Sequence, residues 1–282
     1  MAKLQLHFNG TFPFKKEEIK RILETASQKE GLKDTLQNLM NKTGLGNAKV
    51  DKIKKWSMRA GLIKDNYLSE EGKTVLKYDP YLQSIITDWL MHFYLSFGNQ
   101  GLNKIPENAY DWGGWTYFIY DFLPQNLTFS KDNLDEKCLN IFQEKREEIP
   151  KRLNFILRTY TEDYGLKSIN LIKKVNSNKK TKIDQYETGN SNLPNTYLIG
   201  YFLAKLWERD FNKETSILTD DLIKQKMGLI QVLGINAEDL QTHLNNMESL
   251  GIIEQRRTVL PHQIIRRWHY HLTLLEKAYD NN

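Results

Sequence analysis

Four aspartates and one histidine lie in or near aromatic, helical segments, where they could meet in space: Asp79, Asp88, His92, Asp111 and Asp121. Converging carboxylates can hold Mg²⁺ or Mn²⁺, and a metal held in this way supports hydrolysis of a phosphodiester. Each acid also has a structural explanation as a helix cap or surface acid, and Asp79 precedes Pro80 in a natural turn. His92 lies in an apolar helical segment, which favours a hydrogen-bonded core histidine. The catalytic residues stay unknown, with Asp79, Asp88, His92 and Asp111 as candidates.

Other catalytic motifs are weaker or missing. Glu71-Gly72-Lys73 has the Glu-x-Lys spacing of many nucleases, but it begins a predicted helix, whereas that motif belongs on a strand. No His/Cys spacing indicates a zinc site. No Gly-x-x-x-x-Gly-Lys phosphate loop occurs, which argues against an ATPase.

A basic amphipathic helix is predicted at residues 47–60. Val50, Ile53, Trp56 and Ala60 form one apolar stripe. Cations follow the other side at helical spacing, and we predict that this helix and the segment after it contact DNA phosphates through Lys49, Lys52, Lys54, Lys55, Arg59 and Lys64.

The segments around this helix predict a winged helix-turn-helix. Residues 15–27 and residues 32–40 show helical spacing, the latter through Leu32, Leu36, Leu39 and Met40. Gly61 is placed to end the basic helix, residues 62–68 form a hairpin around Asp65-Asn66, and Ser69 caps the next helix. In such a motif the second helix of the pair enters the major groove. The alternative is an ordinary corner of a helical bundle.

A similar pattern occurs near the C-terminal end. A helix is predicted at residues 221–233, Gly234 ends it, and Asn236 caps a helix over residues 237–250 with Leu240, Leu244 and Met247 buried. Residues 251–257 then predict a strand like the one after Gly61. This second winged-helix-like unit would contact bases or phosphates with Gln241, Asn245, Arg256 and Arg257. The alternative is a dimerisation or packing domain.

Residues 78–171 predict a run of amphipathic helices. Their aromatic residues indicate core rather than a base-stacking platform: Trp89, Phe93, Tyr94, Trp112, Trp115, Tyr117, Phe118, Tyr120 and Phe122. Residues 98–114 form the longest irregular insert here, of the kind that often carries function. Residues 176–195 are polar and Lys-rich, and indicate a domain boundary or a loop that orders on binding.

We predict a mainly α, cytoplasmic protein that binds a polyanion, because few strand-like alternations appear and the basic residues are clustered. Net charge is only +5, but residues 42–77 contain nine Lys/Arg and only four acids. Residues 167–182 contain six lysines and no acid. The single cysteine, Cys138, excludes an internal disulfide. No signal-peptide-like or membrane-spanning run is expected. We predict a winged-helix unit at residues 1–78, a helical region at 79–175 and a second unit at 196–282.

Four groups of residues between positions 6 and 123 carry a family resemblance. They are Thr11-Phe12-Pro13-Phe14; Gly44-x-Gly46 with Val50, Ile53, Lys54 and Trp56; Ala60-Gly61-Leu62-Ile63 through Leu68-Ser69-Glu70-x-Gly72; and Asp79-Pro80-Tyr81-Leu82 with Trp89-Leu90-x-His92. The chain resembles the domain of unknown function found in SspB-type proteins of bacterial DNA phosphorothioation-based phage defence. The resemblance implies a component that nicks one strand before sulfur insertion.

Two functions follow as hypotheses. The first is a DNA-binding subunit of such a defence system that nicks DNA with Mg²⁺ or Mn²⁺, alongside the system's other proteins and as a monomer or oligomer. The second is a non-catalytic DNA-binding regulator or adaptor, whose aromatic middle recruits protein partners. A third alternative is a scaffold that binds proteins only.

Overall fold

The computed structural model describes residues 4–6, 12–175, 184–189 and 191–282. They form two compact units, one made of residues 1–101 and 106–192 and the other of residues 102–105 and 193–282. Both of the predicted N-terminal segments, 1–78 and 79–175, contribute to the first unit. Thr11 of the family motif, and residues 176–183 and 190 of the Lys-rich segment, lie outside the described residues.

The first unit begins with three helices and a hairpin, in the order that the sequence predicts. They are α1 (Lys16–Ala26), α2 (Leu36–Thr43), α3 (Asn47–Arg59), β1 (Ile63–Lys64), β2 (Tyr67–Leu68) and then α4 (Glu70–Tyr78). The Ser69 hydroxyl caps α4 by accepting from the Gly72 amide at 2.8 Å. Gly61 follows α3 at φ 77°, a conformation that favours glycine.

One detail of the α2 prediction is wrong. Leu32 is buried but lies in a turn before the helix, and Leu36 is 44% exposed instead of facing the core. Thr35 is the N-cap, since its hydroxyl accepts from the Asn38 amide. The helix therefore begins at Leu36, at a polar capping signal that outweighs the apolar spacing of residues 32–40.

The rest of the first unit is helical with a three-stranded antiparallel sheet. Its elements are α5 (Ile85–Leu95), a 3₁₀ turn (Ala109–Trp112), α6 (Gly114–Tyr117), a π-helical turn (Phe118–Phe122), α7 (Leu123–Gln125), β3 (Thr128–Ser130), α8 (Lys131–Ile141), α9 (Ile149–Thr161), a second 3₁₀ turn (Lys167–Ile169), β4 (Ile172–Val175) and β5 (Gln185–Thr188). The strand order is β3-β5-β4. This sheet corrects the expectation of helices alone, and β5 lies in a segment expected to be irregular.

Most of the aromatic residues of the middle region form the core, as predicted, whereas Tyr94 and Tyr120 are half-buried. Trp89, Phe93, Trp115 and Phe118 are fully buried. Their burial explains why residues 78–171 are rich in aromatic side chains, because each fills a large volume at the centre of the unit.

The second unit has helices on a three-stranded sheet. Its elements are α10 (Thr196–Asp210), β6 (Ser216–Leu218), α11 (Thr219–Ile223), α12 (Leu229–Leu233), α13 (Ala237–Ser249), β7 (Ile253–Arg256), β8 (Gln263–Arg266) and α14 (His271–Asp280). All strands pair antiparallel in the order β6-β8-β7. As predicted, Leu240, Leu244 and Met247 of α13 are buried.

The single helix expected at residues 221–233 is two short helices instead. Between α11 and α12 the chain turns at Met227, whose φ of 49° is left-handed, and at Gly228. A helix cannot continue through that conformation.

In the part of the chain that the structure describes, no helix combines the length and the apolar character needed to cross a bilayer.

Trp56 is the residue of α3 whose loss we expect to cost most. It is fully buried, and its indole nitrogen donates to the Phe12 carbonyl at 3.0 Å. Trp56→Ala should lower the free energy of unfolding by about 3 to 5 kcal/mol, measured by urea denaturation. Met58→Ala on the same helix, at a side chain that is 40% exposed, is the control and should change it by about 0.5 kcal/mol or less. Equal losses for the two variants would contradict this placement.

Candidate nucleic-acid interface

Helix α3 turns its basic side outward because its apolar side is fixed in the core. The Trp56 ring packs edge-on against Phe14 and Trp115, with centroids 5.8 and 5.5 Å away. On the outer side, the side chains of Lys52 and Lys55 are 36% and 49% exposed. Two long cations held on the exposed side of a rigid helix are suited to contacting phosphates.

Asp51 lies between these two lysines. Its carboxylate contacts the Lys55 ammonium at 2.9 Å and the Lys52 ammonium at 3.2 Å. The hydrogen bond from Lys55 is the main reason that the pKa of Asp51 is lowered. Exposed ion pairs of this kind contribute little free energy, so a phosphate can replace the carboxylate at small cost.

Two other predicted DNA contacts are engaged inside the unit. The Lys49 ammonium donates to Glu18 of α1 at 2.6 Å. The Lys54 ammonium donates to the Asn66 side chain at the turn of the hairpin, also at 2.6 Å. These lysines therefore connect α3 to its neighbours, whereas Lys64 on β1 is exposed to solvent.

Arg59 is not on the outer side, which corrects the expectation from helical spacing. It is buried, and its guanidinium lies over the Trp56 ring, 5.2 Å from the centroid. Burial lowers its pKa to about 10. Arg59, Tyr94 of α5 and residues 98–101 line one cleft, so the end of α3 and the chain after α5 lie close together. Helical periodicity cannot show such a tertiary contact.

That cleft extends the basic surface of α3. It has a volume of about 580 Å³, and its lining includes Lys55, Lys64, Asn99 and Gln100. Residues 98–114 were predicted to be a functional insert, but no pattern in the sequence distinguished Asn99 or Gln100 as residues of a site. We call Lys52, Lys55 and Lys64 with this cleft the basic surface.

The candidate acids each have a local structural role. Asp79 accepts from the amides of Gln83 and Ser84 at 2.9 Å and from the Thr87 hydroxyl at 2.6 Å, which fixes the start of α5. Asp111 forms a capping box with Asn108.

Asp121 and Glu71 also accept hydrogen bonds from neighbouring side chains. Asp121 accepts from the Gln125 amide group at 2.6 Å. Glu71 lies in α4, not on a strand, and accepts from the Tyr94 hydroxyl at 2.8 Å. The Glu-x-Lys motif therefore lacks the strand setting that a nuclease would need.

Asp88 is the most unusual of the acids. Its carboxylate is fully buried and accepts from the Lys16 ammonium at 2.8 and 2.9 Å and from the Ser168 hydroxyl at 2.5 Å. Burial raises its pKa, although Lys16 and Ser168 oppose that effect. An open cleft of about 650 Å³ lies beside it, with Lys167, Lys173 and Lys174 among its lining residues.

His92 is a core histidine, as its apolar surroundings predicted. It is fully buried, and its Nδ1 forms a 2.8 Å hydrogen bond with the Tyr160 hydroxyl. A histidine held between aromatic rings in this way has a packing role.

The acids do not assemble into a metal site. Within residues 4–6, 12–175, 184–189 and 191–282, no group of three or more His, Cys, Asp or Glu side chains is arranged to hold a metal ion. No catalytic step is therefore assigned to these side chains.

In the second unit, the predicted contacts form one polar network on the surface. The Arg257 guanidinium donates to Asn245 of α13 at 2.8 Å and to Glu248 at 3.0 Å. The Gln241 amide group donates to Asn245 at 3.0 Å and to Gln255 of β7 at 2.9 Å.

Arg256 lies beside this network and pairs with Glu254 at 3.3 Å. The side chains predicted from two separate segments therefore lie together, at the junction of α13 and β7. Gln255 and Glu248 complete this group and were not singled out in the sequence, where nothing distinguished them from other exposed polar residues.

These features define a mainly helical protein with a basic helix as its candidate nucleic-acid interface. The chain belongs to the family described as protein of unknown function (DUF4007), whose model matches residues 9–279. A search of the curated proteins finds no match.

Two solved structures share the fold. A magnesium-ion-bound SspB crystal structure superposes with a TM-score of 0.74 at 16% identity, covering 98% of this chain and 88% of that one. An SspB crystal structure gives 0.73 at 17% identity, with the same coverage. At this identity the likeness shows the fold alone.

The raised pKa of Asp88 predicts a pH dependence of stability. Folded Asp88 binds its proton more tightly than the unfolded chain does, where the ordinary value is 3.8. The stability that this proton contributes is complete below 3.8 and is lost as pH rises through the raised value. The unfolding free energy of the wild type, minus that of Asp88→Asn, should therefore fall as pH rises from about 4. Urea titrations at several pH values measure it, and a rising difference would mean that Lys16 outweighs burial.

Proposed function

We propose that this chain is the DNA-binding component of a phosphorothioation-type modification and anti-phage defence system. The observation that carries the proposal is the basic surface, where Lys52 and Lys55 project from the side of α3 opposite the buried Trp56. Family membership and the fold shared with SspB support the choice of system.

In the proposed binding mode, α1 to α3 and the β1–β2 hairpin act as a winged helix. Helix α3 enters the major groove, Lys52 and Lys55 contact phosphates, and Lys64 contacts the backbone from the hairpin. Lysine suits this role because its charge lies at the end of a long side chain that can follow the phosphates.

The second unit is proposed as a second winged-helix-like module. Helix α13 carries Gln241 and Asn245, whose amide groups can both donate to and accept from base edges. Their present partners, Gln255 and Arg257, are also surface groups, so DNA can exchange with those bonds. Other proteins of the system are proposed as partners of the chain.

A non-catalytic regulator or adaptor is the second candidate function. It is favoured by the separate structural roles of Asp79, Asp111 and Asp121, each of which is held in its own local hydrogen bonds. Strand nicking is suggested by the resemblance to SspB-type proteins and by no residue assignment.

Incubation of supercoiled plasmid with the full chain and Mg²⁺ or Mn²⁺ distinguishes the nickase from the adaptor. Open-circular product contradicts the adaptor, and its absence with both metals removes the nickase.

The proposed interface predicts the effect of removing its two lysines. Lys52→Ala/Lys55→Ala should weaken binding to a short duplex, measured by fluorescence anisotropy, because two phosphate contacts are lost. The slope of log affinity against log salt should become shallower by about 2. The melting temperature should stay near that of the wild type, since both side chains are exposed.

The control removes the same charge elsewhere in the first unit. Lys145 and Lys151 are exposed at and before the start of α9, and Lys145→Ala/Lys151→Ala should bind like the wild type. If the α3 variant kept the wild-type affinity and salt slope, α3 would be removed from the DNA interface.

A further inference from the structure

The loop between β7 and β8 exposes apolar side chains. Val259 and Leu260 are 76% and 77% exposed, and Pro261 follows Leu260 at the tip of the hairpin. An apolar side chain gains free energy when it leaves water, so a conspicuous apolar tip is a candidate contact surface.

The hairpin beneath this tip is held firmly. Strands β7 and β8 pair from Ile253↔Arg266 to Arg256↔Gln263, and the side chain of Ile264 in β8 is fully buried. At the end of the loop the Thr219 amide donates to the His262 carbonyl at 3.0 Å. At its start Arg257 is fixed by Asn245 and Glu248. The tip is thus presented to solvent by a fixed support.

The charge around the tip indicates what it contacts. Residues 248–270 keep an excess of positive charge: they contain Arg256, Arg257, Arg266 and Arg267 against Glu248 and Glu254. Glu254 pairs with Arg256 and Arg267, and Glu248 pairs with Arg257. A partner that is polyanionic on its outside and apolar within matches both the positive charge and the apolar tip. Duplex DNA meets both requirements, since phosphates line its grooves and stacked bases form its interior.

We propose that the Val259–Leu260 tip enters the minor groove of duplex DNA and inserts between two stacked base pairs. This inference rests on the proposed DNA-binding function and adds to it a bent DNA product. Leu and Pro are side chains that minor-groove proteins use as wedges, and wedges of this kind unstack one step and kink the duplex. Arg256 and Arg257 lie next to the tip, and they would contact the phosphates of the groove by exchanging their surface ion pairs with Glu254 and Glu248.

The test measures binding and bending together on the full chain. A duplex of about three helical turns carries a donor and an acceptor dye at its ends, so that a kink raises energy transfer. The wild type should raise energy transfer on binding. Val259→Ser/Leu260→Ser should lose that rise and bind about tenfold more weakly, because the apolar wedge is gone. Its salt slope should not change, since no charge is removed.

The control is Leu127→Ser/Val175→Ser, which removes two exposed apolar side chains of the first unit and should match the wild type. Wild-type affinity and energy transfer in the tip variant would overturn the wedge while leaving DNA binding in place. Failure of the wild type to bind any duplex would overturn the proposed function itself. Tip-dependent binding to vesicles of anionic phospholipid, with DNA binding unchanged, would assign the tip to a lipid surface and also overturn the wedge.

Discussion

The first unit depends on one continuous set of aromatic contacts through its core. Each ring contacts the next in the series Phe14, Trp56, Trp115, Tyr160, His92 and Trp89. Their polar atoms are satisfied within the core, since the Tyr160 hydroxyl accepts from the Trp115 indole at 3.1 Å and bonds His92 at 2.8 Å. This connection joins α3 to α5, α6 and α9, so neither the N-terminal helices nor the middle region can form the whole core alone.

The packing of this core determines which cations are available on the surface. Lys16 neutralises the buried Asp88, Lys49 reaches Glu18, and Arg59 lies over the Trp56 ring. Each of these groups stabilises the unit by occupying a position that would otherwise leave a charge or a ring edge without a contact. Lys52, Lys55 and Lys64 face solvent, and therefore a function can act on them without loss of folding energy.

The sequence predicted those parts of the fold that depend on local pattern. The apolar stripe of α3, the Ser69 cap and the hairpin around Asp65 all follow from neighbouring residues, and they lie where expected. It could not predict the burial of Arg59 or the β3-β5-β4 sheet. The strands of this sheet have three or four residues, and β5 pairs with β3 at a sequence separation of about sixty residues. Of the candidate site, periodicity identified Lys52 and Lys55, whereas the cleft beside them needs the loop after α5.

The two hairpins differ in length and in the side chains that they expose. In β1–β2 each strand has two residues, and the turn is only Asp65 and Asn66, which Lys54 holds against α3. At about 3.3 Å per residue, this hairpin cannot project far from the helix, so its charged Lys64 stays close to α3. In β7–β8 the strands have four residues and a further six connect them. The longer hairpin exposes Val259 and Leu260 at its tip, and removing those apolar side chains from water would be favourable.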